Sequence, residues 1–372
     1  MPAPGRHTRA AAAARRRRAL GLLAVGVLAV GALVARTVGS RPASESGRPA
    51  SSTAPADRQA APLPLTRAVG RKIMTAMNGT FPSRSLRARV RRGQVGGVIL
   101  FGPNVSPRLG QAIASLQRAA RAGGNPPLLI AVDQEGGEVK RLRSLPPSRP
   151  PAQMTAATAG PEGAATGEAL RARRINTDLA PVADVNHGSF LGPRSFGSDP
   201  GVVAQAACAF ADGLQSAGVN ATLKHFPGLG RTRSNTDLGA VTIGASAAAL
   251  RADLEPYRSC GSRTRLVMLS NATYPAFDPA RPAVLSRRVV TGLLRGELGF
   301  RGVTISDTLA APGVASPTTA IRASRAGVDI LLYVDEQTSA LAYRNVLRAA
   351  RAGSLSSTAV RAAAARIDAL PR

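Results

Sequence analysis

Eight short apolar, β-rich runs recur between residues 72 and 334, separated by stretches rich in Ala, Leu and Arg. They are Lys72–Met77, Gly97–Phe101, Leu128–Asp133, Asn176–Val182, Ala221–His225, Leu266–Ser270, Val303–Asp307 and Asp329–Val334. Helical patterns lie between them, among them Ser106–Arg121, Val202–Ala217, Ser246–Tyr257, Ser286–Glu297 and Thr318–Ala326. Near-continuous apolar strands imply burial on both faces, and alternation with helices implies parallel pairing. Eight such units in roughly 300 residues is the count of a (β/α)8 TIM-type barrel, an α/β fold built as a single domain. An open doubly wound sheet is the alternative, but it lacks a Gly-rich phosphate fingerprint after its first strand.

Polar residues interrupt the apolar runs at one recurrent place. Asp133, Lys224, His225 and Asp307 each stand at the C-terminal end of a run. In a barrel all those ends open on one face, where the active site is built. Any one of them could simply close a strand–loop corner. Four together point to a shared pocket.

The N-terminus carries a different signal. Arg6, Arg9 and the run Arg15–Arg18 precede Ala19–Ala35, a stretch of 17 uncharged residues that Arg36 ends. A basic segment before an apolar run is an export signal whose positive charges stay in the cytoplasm. Residues 1–18 therefore read as a basic leader, and residues 19–35 as a signal anchor or a cleaved signal peptide. Residues 36–64, mostly Ser, Pro, Ala, Gly and Arg, read as a disordered linker to a domain spanning 65–372. The domain is expected outside the cytoplasm, membrane-anchored by its N-terminal segment or secreted. In that compartment the only two cysteines, Cys208 and Cys260, are expected to form a disulfide.

Composition narrows the chemistry. The formal charge is +28, and all but three of the 49 basic residues are Arg. Such a balance is compatible with nucleic acid or a polyanionic envelope, but no nucleic-acid motif or aromatic interleaving accompanies it. No HExxH, CxxC, GxSxG or GxxxxGK[ST] pattern occurs, so neither a dedicated metal site nor a cofactor is implied. A monomer without nucleic-acid partners is expected.

The segments VGGVILFGPNV, VDQEGGEVKRLR, LAPVADVNHGS, PRSFGSDP, KHFPGLG and GFRGVTISDTL resemble the N-terminal barrel of glycoside hydrolase family 3. They are most similar to its short β-N-acetylhexosaminidase branch, and the resemblance runs from about Leu65 to the end. The second sandwich domain that many β-glucosidases of the family carry is not expected within that span. The resemblance implies a retaining glycosidase with Asp307 as nucleophile. It also implies that Asp133, Arg141, Arg194, Lys224 and His225 contact the sugar, the carboxylate accepting from hydroxyls and the cations donating. The bland alternatives are that Asp307 caps the next helix and that Arg194 braces its loop through Asp199.

One segment departs from the family pattern. The hexosaminidase branch carries KHFPGHG followed by a D-S-H triplet whose Asp–His pair is the acid/base. This chain reads KHFPGLGRTRSNTD, with Leu229 in place of the first loop His, Asn235 in place of the Asp and Asp237 in place of the His. Asn cannot titrate. Three readings stay open. Asp237 is itself the acid/base, or only substrates with good leaving groups are cleaved, or the barrel binds envelope glycans without turnover. Asp237 could equally be a solvated loop carboxylate held near Arg231 or Arg233. A β-linked N-acetylhexosamine of cell-wall glycan is the expected carbohydrate ligand.

Overall fold

The structure, a computed structural model, describes residues 62–372. The leader, the apolar run 19–35 and nearly all of the linker lie outside the described residues. Among the described residues, no helix is long and apolar enough to cross a membrane.

Each apolar run becomes a strand, shortened at one or both ends except Ala221–His225, which shifts by one residue. The strands are β1 (Ile73–Ala76), β2 (Gly97–Leu100), β3 (Leu129–Val132), β4 (Thr177–Asp178), β5 (Thr222–Phe226), β6 (Leu266–Leu269), β7 (Val303–Ser306) and β8 (Leu331–Tyr333). The run Asn176–Val182 shrinks most, to two residues. Pro181 has no N–H for a ladder bond, so the rest of that segment follows β5 through irregular bonds such as Ala183 N to Lys224 O at 2.7 Å.

All pairing among these strands is parallel. One sheet has the order β8-β1-β2-β3-β4 and the other β7-β6-β5. Single parallel bridges join them at both seams: Thr177 to Asn220 and Val182 to Lys224 on one side, Ile305 to Ile330 on the other. Period-2 alternation then sorts side chains into two cores. Met74, Ile99, Leu129, Leu266, Val303 and Leu332 share one cluster, which Ile367 and Leu370 also join. Ile73, Val98, Ile130 and Val267, their outward neighbours, pack with the helices in the other.

Helices, counted from α1 (Leu65–Arg71) and α2 (Arg84–Arg91), cover the strands where spacing predicts them, with instructive exceptions. Helix α3 (Leu109–Ala122) buries Leu109, Ala112, Ile113, Leu116 and Ala120, one stripe at helical spacing. The region predicted as one helix over Ser246–Tyr257 is two, α6 (Ala247–Ala252) and α7 (Glu255–Cys260). Pro256 lies in the first turn of α7, where its missing N–H is harmless, so a new helix starts there. The break leaves Asp253, 4% exposed, outside both helices. Ser286–Glu297 forms a π-helix over Arg288–Glu297 rather than an α-helix. Helix α4 (Ala156–Ala172) was hidden in the sequence by Pro161 and its glycines. Those glycines serve packing: a Cβ on Gly163 would meet Phe210 O of helix α5 (Pro200–Ser216) at 2.3 Å.

Cys208 in α5 and Cys260 in α7 are bonded, as expected, across a sequence separation of 52. Closing a loop of that length restricts the unfolded chain and is worth about 2–4 kcal/mol. The double variant Cys208→Ser/Cys260→Ser is expected to lose about that much in denaturant unfolding, measured without reductant. An unchanged midpoint would mean the bridge adds nothing.

Candidate active site

A pocket opens at the C-terminal ends of the strands. It is lined by Asp133, Glu135, Arg141, Arg194, Lys224, His225, Asp237 and Asp307, with Phe101, Phe190, Leu229 and Met268 as apolar walls. All seven residues singled out in the sequence therefore meet in one place.

The loop after β3 supplies one wall. Gln134–Gly136 and Val139–Lys140 form a small antiparallel hairpin. Its turn uses Gly136 and Gly137 at φ of 104° and 58°, which L side chains rarely adopt. Buried Gln134 ties the returning strand down by donating to Leu142 O (3.0 Å) and Pro146 O (2.8 Å) and accepting from Leu142 N (3.0 Å). This brings Arg141 back beside Asp133. Its Nη2 lies 3.4 Å from Asp133 Oδ2, and its guanidinium sits 5.8 Å from the centre of the Phe101 ring.

Lys224, in the middle of β5, is the electrostatic hub. Its Nζ lies 2.8 Å from Asp133 Oδ1 and 2.6 Å from Glu135 Oε1. Arg194 grips Glu135 with two bonds of 2.8 Å. That corrects the bracing alternative, because Asp199 instead caps α5 by accepting from Val202 N at 2.9 Å. Burial pushes the Asp133 and Glu135 carboxyls up, but Lys224 and its arginine neighbours outweigh it and hold both below the usual range. Burial likewise opposes the charge on Lys224, and the two carboxylates more than restore it.

His225 is held by a group the sequence reading missed. Its Nδ1 donates to Asp184 Oδ2 at 2.7 Å, while Asp184 Oδ1 accepts from the backbone N–H of His225 (3.0 Å) and Leu229 (2.7 Å). Glu135 was missed as well. Both sit inside the segments VDQEGGEVKRLR and LAPVADVNHGS, and acids just after apolar runs in a chain with 21 acids against 49 bases were the available signal.

Asp307 follows β7 and is not a helix cap. Its Oδ1 accepts from Thr308 N at 2.7 Å, and the next helix, α8 (Thr319–Ala326), begins well downstream. Burial raises its carboxyl above the ordinary value, and the charge of Asp237 adds to the rise. His225, Lys224 and the Thr308 N–H work in the opposite direction.

The divergent loop is firmly rooted. A Cβ on Gly230 would meet Val185 O at 1.7 Å, so only glycine fits there. Arg231 binds Asp253 through Nε (2.5 Å) and Nη2 (3.1 Å), and His187 Nε2 reaches the same carboxylate at 3.0 Å. Arg231 is thus engaged away from Asp237. Asn235 builds a turn by accepting from Asp237 N at 2.9 Å. Leu229, in place of a polar residue, is 1% exposed and packs into the core.

Residues 69–370 match the Glycosyl hydrolase family 3 N terminal domain. A β-hexosaminidase of Tolumonas auensis is 39% identical over 307 residues, covering 77% of this chain and 90% of that protein. An uncharacterised secreted glycosyl hydrolase of Arthroderma benhamiae is 37% identical over 326 residues, covering 81% and 91%. The glycoside hydrolase family 3 β-N-acetylglucosaminidase from Paenibacillus sp. str. FPU-7 superposes with a TM-score of 0.79 at 34% identity. That match covers 83% of this chain and 62% of the Paenibacillus chain. The chain belongs to glycoside hydrolase family 3 and is a glycosidase.

Proposed function

We propose that this glycosidase hydrolyses terminal β-linked N-acetylhexosamine of cell-wall glycans by a retaining mechanism, with Asp307 as nucleophile and Asp237 as acid/base. The observation that carries the reading is the meeting of two carboxylates, Asp307 at the end of β7 and Asp237 on the loop after β5, in one pocket with a wall of ion-paired donors. A retaining glycosidase needs such a pair on opposite sides of the anomeric carbon. The two sheets, bridged at both seams, are read here as one closed (β/α)8 barrel whose strand ends form the mouth.

In the first step an Asp307 oxygen attacks the anomeric carbon as the C–O bond to the leaving group breaks. Asp237 gives its proton to the departing oxygen. Asp237, now ionised, then takes a proton from water, whose oxygen displaces Asp307 and frees the sugar. Asp133, Arg141, Arg194, Lys224 and His225 would hold the sugar hydroxyls, with His225 presenting Nε2 because Nδ1 is committed to Asp184. The export-type leader, Arg15–Arg18 followed by Ala19–Ala35, is the ground for an extracytoplasmic, envelope-facing substrate. Incubation with a 2-fluoro-β-glycosyl fluoride should leave one stable ester. Mass spectrometry should find it on the peptide containing Asp307, and label on another carboxylate would overturn the assignment.

The raised carboxyl of Asp307 has a kinetic consequence. The nucleophile must be ionised, so activity is lost as pH falls through its pKa, which burial raises above the ordinary carboxylate value. The acid limb of kcat/KM for an activated aryl glycoside should therefore lie above the pH at which an ordinary carboxylate ionises, and a limb at or below it would show that burial does not hold Asp307 back.

A further inference from the structure

The opposite end of the strands has an uncompensated surplus of positive charge. Lys72, just before β1, is 2% exposed, and its Nζ donates to Val328 O (2.7 Å) and Asp329 O (2.9 Å). The Asp329 carboxylate is already engaged by Arg295 at 2.6 Å and by Arg366 at 2.7 Å. Thr304 N–H adds a further bond to it at 2.9 Å. Next to this group, Asp368 serves both Arg71 (2.9 Å) and Arg372 (3.3 Å). Four arginines thus share two carboxylates, and Lys72 beside them is held by main-chain carbonyls alone. Like charges gathered in a low-dielectric setting repel strongly unless an anion joins them. Burial lowers Lys72 to about 8; the Asp329 charge opposes this, and Arg366 and Arg295 add to it.

A cavity of about 220 Å3 lies at this cluster, lined by Lys72, Ser324, Gly327, Asp329, Ala363 and Arg366. Lys72 has one N–H beyond those given to the two carbonyls. Arg366 uses Nε and Nη2 on Asp329, which leaves Nη1. Ser324 Oγ, in α8, is buried and has no hydrogen-bond partner among the described residues. A helical serine normally returns its hydroxyl to the backbone or to water. Here the hydroxyl belongs to a residue that lines the cavity.

We propose that this cavity, at the end of the fold remote from Asp307, binds a small oxyanion: phosphate, sulfate or the terminal phosphate of a larger ligand. Lys72 Nζ, Arg366 Nη1 and Ser324 Oγ are its donors. The site does not depend on the catalytic reading, since none of its residues lines the sugar pocket.

Thermal unfolding of the full chain, titrated with inorganic phosphate against chloride at matched ionic strength, tests this. Phosphate should raise the midpoint saturably by roughly 2–4 °C, as binding to the folded state alone does. Ser324→Ala should weaken the apparent affinity by roughly threefold to tenfold, the worth of one hydrogen bond. Ser324→Asp places a carboxylate in the cavity, so it should raise the midpoint without phosphate and abolish the phosphate response. Both variants should hydrolyse an aryl glycoside at the parental rate. A parallel titration with glycerol 3-phosphate separates the sources: a matching response indicates an attached phosphate, and no response a free ion. If phosphate does no more than chloride, or if Ser324→Asp responds like the parent, the proposal is wrong.

Discussion

Asp307→Ala is expected to lower kcat/KM for an aryl β-N-acetylglucosaminide by about 10^4- to 10^6-fold, the usual cost of removing a covalent nucleophile. The fold should survive. Among the described residues Asp307 makes one side-chain hydrogen bond, to its neighbour Thr308, and it is pushed toward the neutral form by burial. Losing a carboxyl of that kind removes an electrostatic burden and should leave the thermal midpoint equal or slightly higher. Azide adds a sharper test. In Asp307→Ala a small anion can occupy the vacated face and attack the anomeric carbon directly, giving the α-glycosyl azide from an activated β-glycoside. Wild-type turnover in this variant would remove Asp307 from the mechanism.

The second large effect concerns Asp237, and it depends on the leaving group. Asp237→Ala should slow substrates with basic leaving oxygens by about 100- to 10,000-fold, because those need the proton most. Aryl glycosides with acidic phenols should lose far less in the first step and accumulate glycosyl-enzyme. Azide should then restore their turnover and give the β-glycosyl azide, since it attacks the ester that Asp307 has already formed. The opposite anomers from the two variants separate the two roles on chemical grounds. Uniform slowing across leaving groups, without azide rescue, would show that Asp237 carries no proton. Asn235→Asp with Asp237→His would install the family-type pair. Success there requires the loop to keep its present course, which the Asn235 turn and the Arg231–Asp253 clamp now fix.

The α/β class and the gathering of the named polar residues in one pocket were legible because they depend on local patterns. Apolar strands separated by amphipathic helices demand parallel pairing, and Asp133, Lys224, His225 and Asp307 at the strand ends then share one mouth whatever the details. The helices that escaped the pattern did so for physical reasons. In α4, Gly163 and Gly167 are there for close approach to α5 and depress its helical signal. Pro256 divides a pattern that looks continuous by period alone.

Partnerships were decided by tertiary structure. Strand periodicity would send Lys224 and His225 to opposite faces, yet both line the pocket, where the β5–β6 ladder shifts register between Leu223 and Phe226. Sequence matching singled out Arg194 without its partner; only the folded chain brings Glu135, 59 positions away, into its grip. The same holds for Asp184 under His225 and for Asp253, which anchors the divergent loop from the break between two helices. Residue type and spacing determined which chemistry this chain carries. Long-range packing determined which charges meet, because ion pairs are set by where chain segments cross and not by their distance in sequence.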